Sequence, residues 1–353
     1  MHRYKALDHP CRLSFPRIQR EKLLMRLIPV CEFSRYSPLI KSAVLLPHKK
    51  VTSQQLSQPL GSGAQVFEIP GVFDDCMKIV EDLAGKYSVA LLNSKNAWRI
   101  LGQESYSYEI AQDFEWDMKN RVVIIPIGNA GNISAVMNGF IKFYKADIIN
   151  YLPKIIGVQS EHADPVFQYY LEPDETRRKF IPVNTKPSVA QAAMIGNPVS
   201  MPRVIKITKE YNALTNYQNV FFVQVTEQSI MDWQLEANKN GHITCTQGGE
   251  CLAGLIKAIE IDIITSPETA ILDATAHSIK FSGFQDLYFK STMPEDYNIK
   301  SDSGKINLPS LIIPDNKEIT PSQKRRLGEK DFQKFVRDIS DKIAKRLNLK
   351  VSL

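Results

Sequence analysis

No apolar run in the 353 residues reaches the length of about 20 that a membrane-spanning helix needs. Cysteine is scarce: Cys11, Cys31, Cys76, Cys245 and Cys251 form no C-x-x-C pair and no Cys/His zinc spacing. That excludes a disulfide framework and a structural metal, and points to a reducing, cytoplasmic setting. Missing too is a basic stripe with interleaved aromatics. The net charge of +6 gathers in residues 1–40, where Arg3, Lys5, Arg12, Arg17, Arg20, Lys22, Arg26 and Arg35 face Asp8, Glu21 and Glu32. The remainder is nearly neutral, so the charge implies no nucleic-acid partner. There is no internal repeat. What is present is ordinary for a globular chain, with 43% hydrophobic and 23% charged residues and length enough for two cored domains.

Residues 1–40 differ from the rest. Pro10, Pro16, Pro29 and Pro38 interrupt any long helix. Charges break the apolar stretches of a secretory signal, and the three acids weaken a transit-peptide reading. A poorly ordered start of foreign character is expected. From Lys41 the pattern is regular. Strands are expected at Ser42–Leu46, Gly63–Ile69, Val89–Leu92, Ile155–Val158, Asn219–Val225 and Thr269–Thr275, with a further short apolar run at Val204–Ile207. Helices are expected at Ser53–Leu60 despite Pro59, Phe73–Lys86, Glu227–Asn240 and from Thr246 to about Glu260. Strands alternating with helices predict βαβ units and a parallel sheet. Thr320 to Leu347 ends in an amphipathic helix with Phe332, Phe335, Ile339, Ile343 and Leu347 on one face.

The chain is organised around Arg121–Tyr144. Val122 to Ile127 is an apolar, β-branched run without alternation, as in a strand buried on both faces. Gly128-Asn129-Ala130-Gly131-Asn132 follows, then Ile133, Val136, Met137, Phe140 and Tyr144 at helical spacing. A strand, a glycine-rich turn and a helix N-terminus can cradle a phosphate on bare N–H groups, or can be an ordinary βα turn. Gly131 is expected to need the left-handed conformation.

Three other stretches carry chemistry. Asn93, Ser94 and Arg99 bring two neutral donors and a guanidinium together after a strand; this is either an anion grip or a helix cap beside a surface arginine. Thr246 to Glu250 is a second glycine-rich helix start, either an anion site or turn chemistry. Asp273 to Ser278 clusters polar groups at a strand's C-terminal end, where α/β folds place ligands. There His277 reads as a general base or, more plainly, as a hydrogen-bonded structural residue.

Taken in order, Asn93-Ser94 with Arg99, Gly102-Gln103, Gly128 to Asn132, Gly196-Asn197-Pro198-Val199-Ser200, Cys245 to Glu250 and Thr275 to Phe284 resemble the threonine synthase family from about Lys41 onward. The resemblance implies the tryptophan-synthase-β-like α/β fold (fold type II), with parallel sheets flanked by helices. It implies a pyridoxal 5'-phosphate cofactor and O-phospho-homoserine as substrate, from which phosphate is eliminated and water added to give threonine. On the same ground Gly128, Asn129, Ala130, Gly131 and Asn132 match the loop for the cofactor phosphate. Thr275 matches the hydroxyl that bonds the pyridine nitrogen. Asn93, Ser94 and Arg99 match the grip on the substrate's phosphate.

One departure stands out. The family forms its Schiff base through a lysine in a Ser-Phe-Lys-Asp-Arg run, followed by a Ser-Gly-Asn-Thr-Ser run, and neither occurs here. Leu13-Ser14-Phe15-Pro16-Arg17 echoes the first with proline in the lysine's place. The expected organisation is an atypical segment 1–40, a remnant of a small α/β domain at 41–92, a cofactor domain at 93–320 and a helical end at 321–353. The expected function is threonine synthase by descent with activity in doubt. The alternatives are a non-catalytic phosphate-binding α/β remnant and a fragment that needs a complementary chain. A homodimer is allowed and nothing requires it.

Overall fold

The computed structural model describes residues 12–13, 42–48, 51, 53–314 and 326–350. Apart from Arg12 and Leu13, the expectations for residues 1–40 lie outside the described residues, as does the stretch 315–325. The chain divides into two compact units, Met1–Lys305 and Ile306–Leu353.

The first unit opens with β1 (Arg12–Leu13) and β2 (Ala43–Pro47). Then α1 (Ser53–Gly61), which contains Pro59, crosses over to β3 (Gln65–Ile69). β2 and β3 pair in parallel from Ala43↔Gln65 to Pro47↔Ile69, a small two-stranded sheet. Helix α2 (Phe73–Lys86) follows, and Asp75 Oδ2 accepts the Val72 N–H (2.9 Å) at its start, as a first-turn carboxylate should. The strand expected at Val89–Leu92 does not form. Among the described residues the chain there joins no ladder, and Val89 is 46% and Leu92 53% exposed. A short apolar run needs a neighbouring strand before it becomes a ladder.

Next come α3 (Ala97–Gln103), α4 (Ser105–Asp113), β4 (Arg121–Pro126), α5 (Gly131–Lys145), β5 (Lys154–Ser160) and α6 (Pro165–Leu171). They are followed by α7 (Met201–Thr215), β6 (Val220–Val225), α8 (Glu227–Lys239), α9 (Thr246–Glu260), β7 (Thr269–Leu272) and α10 (Ser282–Phe289). The five-stranded sheet has the order β1-β7-β4-β5-β6 and every pairing is parallel. Side chains of a strand alternate between faces, and here both faces are buried. Val122 and Ile124 of β4 enter one core with Ile156, Val158, Ala270 and Leu272. Val123 and Ile125 enter the other with Ile155 and Ile271, under α5 and α7. This is why the Val122–Ile127 run shows no polar alternation. Val204–Ile207 lies inside α7, where Val204, Ile207, Thr208 and Tyr211 are buried at helical spacing. Four apolar residues alone do not separate strand from helix.

The second unit holds α11 (Glu329–Arg346), the amphipathic helix expected near the end of the chain. Within that unit Lys342 Nζ donates to Ile313 O (2.7 Å) and Arg346 Nη2 donates to Ser310 Oγ (3.0 Å). None of the described helices is long and apolar enough to cross a membrane.

Candidate functional site

Because all five strands run the same way, β4 and β7 deliver their following loops to one edge. After β4 the chain turns through Gly128–Ala130 into α5. The left-handed residue of this turn is Ala130, with φ 61°, and not Gly131 as the sequence suggested. Glycine serves the turn by closeness: a Cβ on Gly128 would lie 3.1 Å from Ala193 Cα and 3.2 Å from Ala192 O, so the facing backbone would have to give way. Among the described residues, the N–H groups of Asn129 to Ile133 find no protein acceptor. The first N–H groups of a helix have no partner within it and carry the positive end of its dipole. The Asn129 side chain faces away from this role, its Oδ1 accepting the Val199 N–H (3.4 Å) while Asn129 O accepts the Ser200 N–H (3.1 Å). The Gly196–Ser200 run is thereby fixed beneath the cradle.

Beyond β7 stand Asp273 and Thr275. Asp273 is 2% exposed, and Asn132 Nδ2 donates to its Oδ2 at 2.7 Å. Burial pushes this carboxyl up to about 6, while the hydrogen bond from Asn132 pulls the other way. Asn132 therefore enters the cradle through its backbone N–H, its side chain being committed. Thr275 is half-buried and its hydroxyl has no partner among the described residues. His277 caps the short turn at Ser278–Phe281, its Nδ1 accepting the Ile279 N–H (3.2 Å), which is the structural role.

The third group comes from the start of α3. The helix is capped by Asn96, whose Oδ1 accepts the N–H groups of Trp98 (2.9 Å) and Arg99 (3.2 Å). Asn93 is partly engaged: its Oδ1 accepts the Lys95 N–H (2.9 Å) and its Nδ2 lies 3.5 Å from Met77 Sδ. Ser94 Oγ and the Arg99 guanidinium have no hydrogen-bond or ion-pair partner among the described residues. Arg99 stays exposed at its surface, yet the protein around it strips away hydration and lowers its pKa from the ordinary value. A cation short of water and without a carboxylate is suited to an incoming anion.

What holds α3 against the cradle was not legible beforehand. Glu104, 3% exposed, accepts from Asn138 Nδ2 and Lys142 Nζ of α5, both at 2.5 Å. Tyr108 Oη adds a third bond to it at 3.0 Å. A Cβ on Gly131 would meet Ile100 Cδ1 at 2.7 Å, with Gln103 Oε1 and Ser200 Oγ both at 3.8 Å. Gln103 Oε1 is shut from solvent and has no hydrogen-bond partner among the described residues.

The second glycine-rich stretch is packing chemistry. Thr246–Glu250 forms the buried first turn of α9. A Cβ on Gly249 would lie 2.6 Å from Ile230 O and 2.5 Å from Gln234 Cβ, so α8 approaches to backbone distance. With its amide oxygen turned toward them, Gln247 accepts the N–H groups of Gln191 (3.3 Å) and Ala192 (3.1 Å). It thus steadies the segment against which Gly128 lies.

A doubly covered parallel sheet, with a turn of unpartnered amides and, among the described residues, an unpartnered hydroxyl at its C-terminal edge, defines a class. Residues 39–271 match the pyridoxal-phosphate dependent enzyme family, and the chain belongs to it. Within the family it is similar to threonine synthases. It is 35% identical over 242 residues to threonine synthase from Methanocaldococcus jannaschii, covering 68% of this chain and 57% of that protein. It is 30% identical over 256 residues to threonine synthase 2, chloroplastic, from Arabidopsis thaliana, covering 72% and 48%. Among solved structures, threonine synthase from Escherichia coli aligns with a TM-score of 0.59 at 20% identity, over 86% of this chain and 66% of that one. Maize serine racemase aligns with a TM-score of 0.55 at 14% identity, over 76% and 74%. These likenesses establish fold type II. The chain spans about half the length of the curated relatives it matches first.

Proposed function

We propose that the chain carries the cofactor-phosphate and substrate-phosphate sites of a threonine synthase acting on O-phospho-homoserine. The observation that supports this reading best is that, among the described residues, three sets of groups lack protein partners around one sheet edge and the helix packed on it. They are the N–H groups of Asn129 to Ile133, the Thr275 hydroxyl, and Ser94 Oγ with the Arg99 guanidinium. Pyridoxal phosphate, when bound, supplies the electron sink. The amides of the α5 start would take its phosphate and Thr275 its ring nitrogen. A neutral hydroxyl there leaves that nitrogen less charged than a carboxylate would. Arg99 and Ser94 would hold the substrate's phosphate and stabilise charge on it as it leaves. Asn93, half committed to its own turn, would contribute its remaining donor.

The 353 residues contain no lysine in the family's Ser-Phe-Lys-Asp-Arg setting, and Pro16 stands where the echo of that run would need it. This favours a second reading, in which the chain binds but does not turn over unless another polypeptide supplies the amine. Borohydride trapping with peptide mapping, together with phosphate release from O-phospho-homoserine, tests both. Stoichiometric cofactor binding without a single trapped lysine and without phosphate release is expected of these 353 residues. A single trapped lysine with turnover overturns the second reading. Failure to bind the cofactor overturns the first.

A further inference from the structure

Two requirements meet on the cofactor edge. The phosphate cradle belongs to α5, and the ring-side hydroxyl of Thr275 belongs to the segment after β7. A ligand that touches both needs their separation held, since loosely held contacts lose much of their worth. Two links span the gap. Asp273 N–H donates to Ile124 O of β4 (3.0 Å), which clamps the backbone just before Thr275 to the strand that feeds the cradle. Asn132 Nδ2, in the first turn of α5, donates to Asp273 Oδ2 (2.7 Å), which clamps the helix start to the same residue.

We propose that Asp273 is a positioning residue, fixing through its bond to Asn132 the spacing between the phosphate cradle on α5 and the Thr275 hydroxyl. The inference rests on the cradle reading above. Three features support it. The carboxyl is 2% exposed, so the bond is shielded from competing water. It sits at a helix N-terminus, where negative charge is favoured. Its side-chain partner is a neutral amide, whose hydrogen bond offsets only part of the rise that burial imposes on its pKa. A buried carboxyl with a desolvation cost and a single neutral side-chain donor is poor as mere packing. As a brace between two ligand-bearing segments it has a purpose.

The test uses the full chain and two probes. Inorganic phosphate reads the cradle alone. 4'-Deoxypyridoxine phosphate reads cradle and ring side together, and without an aldehyde it cannot couple to surface lysines. Removing one partner of a charged hydrogen bond costs enough to weaken binding about tenfold, so Asp273→Ala should weaken the ring-bearing probe by that factor. Inorganic phosphate should change by less than about threefold, because its site is local. Asn132→Ala should behave like Asp273→Ala, and the double variant should be no worse than either alone. Asp273→Asn keeps an acceptor for Asn132 and should restore binding of the larger probe. Equal weakening of both probes would show a purely structural residue and overturn the proposal, as would unchanged binding of the ring-bearing probe. If the unaltered chain binds neither probe, the cradle reading itself fails, a result separate from the others.

Discussion

Gly131 of α5 and Ile100 of α3 leave no room for a methyl group between them, the Cβ position standing 2.7 Å from Ile100 Cδ1. The obstacle is the end of a flexible side chain. Gly131→Ala should therefore cost only about 1–2 kcal/mol of stability, with Ile100→Val recovering part of it. Gly249→Ala has no such escape, since Ile230 O is backbone at 2.6 Å. Urea unfolding should place the Gly249→Ala midpoint well below that of Gly131→Ala. Equal midpoints would mean that α8 can yield, contrary to this packing.

Arg99 should act on the substrate's phosphate and not on the cofactor. It lies on α3, which Glu104 ties to α5, and among the described residues no carboxylate pairs with it. Lysine keeps the charge but loses the planar fork. Arg99→Lys should weaken binding of O-phospho-homoserine by about tenfold, a value typical of losing one charged hydrogen bond, and leave cofactor affinity unchanged. Calorimetry with each ligand separates the two. Weakened cofactor binding with normal substrate binding would reverse the assignment.

Glu250 is the third test. It is fully buried, and burial followed by Glu227 pushes its pKa well above the usual carboxylate range, with a backbone hydrogen bond from Ser160 pulling the other way. The folded state then binds more protons at this site than the unfolded chain, so stability falls as pH rises above the unfolded value of about 4.3. Glu250→Gln removes that proton linkage. Its advantage over the unaltered chain should be near zero at about pH 4 and grow as pH rises above the unfolded value until the folded carboxyl itself ionises. Denaturant titrations across that range measure it, and a difference that stays flat with pH would show that Glu250 does not titrate as described. Glu227 also has a raised pKa, from burial, but keeps bonds from Ser160 Oγ and from the Val189 N–H (2.7 Å), with His162 Nδ1 3.8 Å away. It is the member of the pair better placed to hold charge.

The central strand, the glycine turn and α5 were legible because their signal is local: an unbroken apolar run, small residues, then helical spacing. The pairing of Asn132 with Asp273 was not, since 141 residues separate them and either side chain alone suits a turn. The same holds for Glu104 and its α5 donors, 34 and 38 residues away. Residue type points to Gly131 as the left-handed residue, but tight contact with Ile100 explains that glycine, while Ala130 takes φ 61° inside a closed turn. Val89–Leu92 had the composition of a strand and no neighbour to pair with. Asn96, and not Asn93, caps α3, although both precede it in a polar stretch that allows either.

Helix α9 is buried along most of its length, from Thr246 to Leu255 with Ala258, and lies against α8 and the central strands. The neighbourhood of α1 and α2 is the reverse, with Leu60, Phe67, Ile79 and Tyr87 all exposed. Opening free energies follow buried contact, so amide hydrogen exchange should be slowest in α9 and β4 and fastest around α1 and α2. The small-sheet region can then breathe as a separate cooperative unit while the cradle, rooted in the slow-exchanging core, keeps its shape. A ligand anchored by its phosphate would ride out fluctuations that strip contacts from anything held on the small-sheet side.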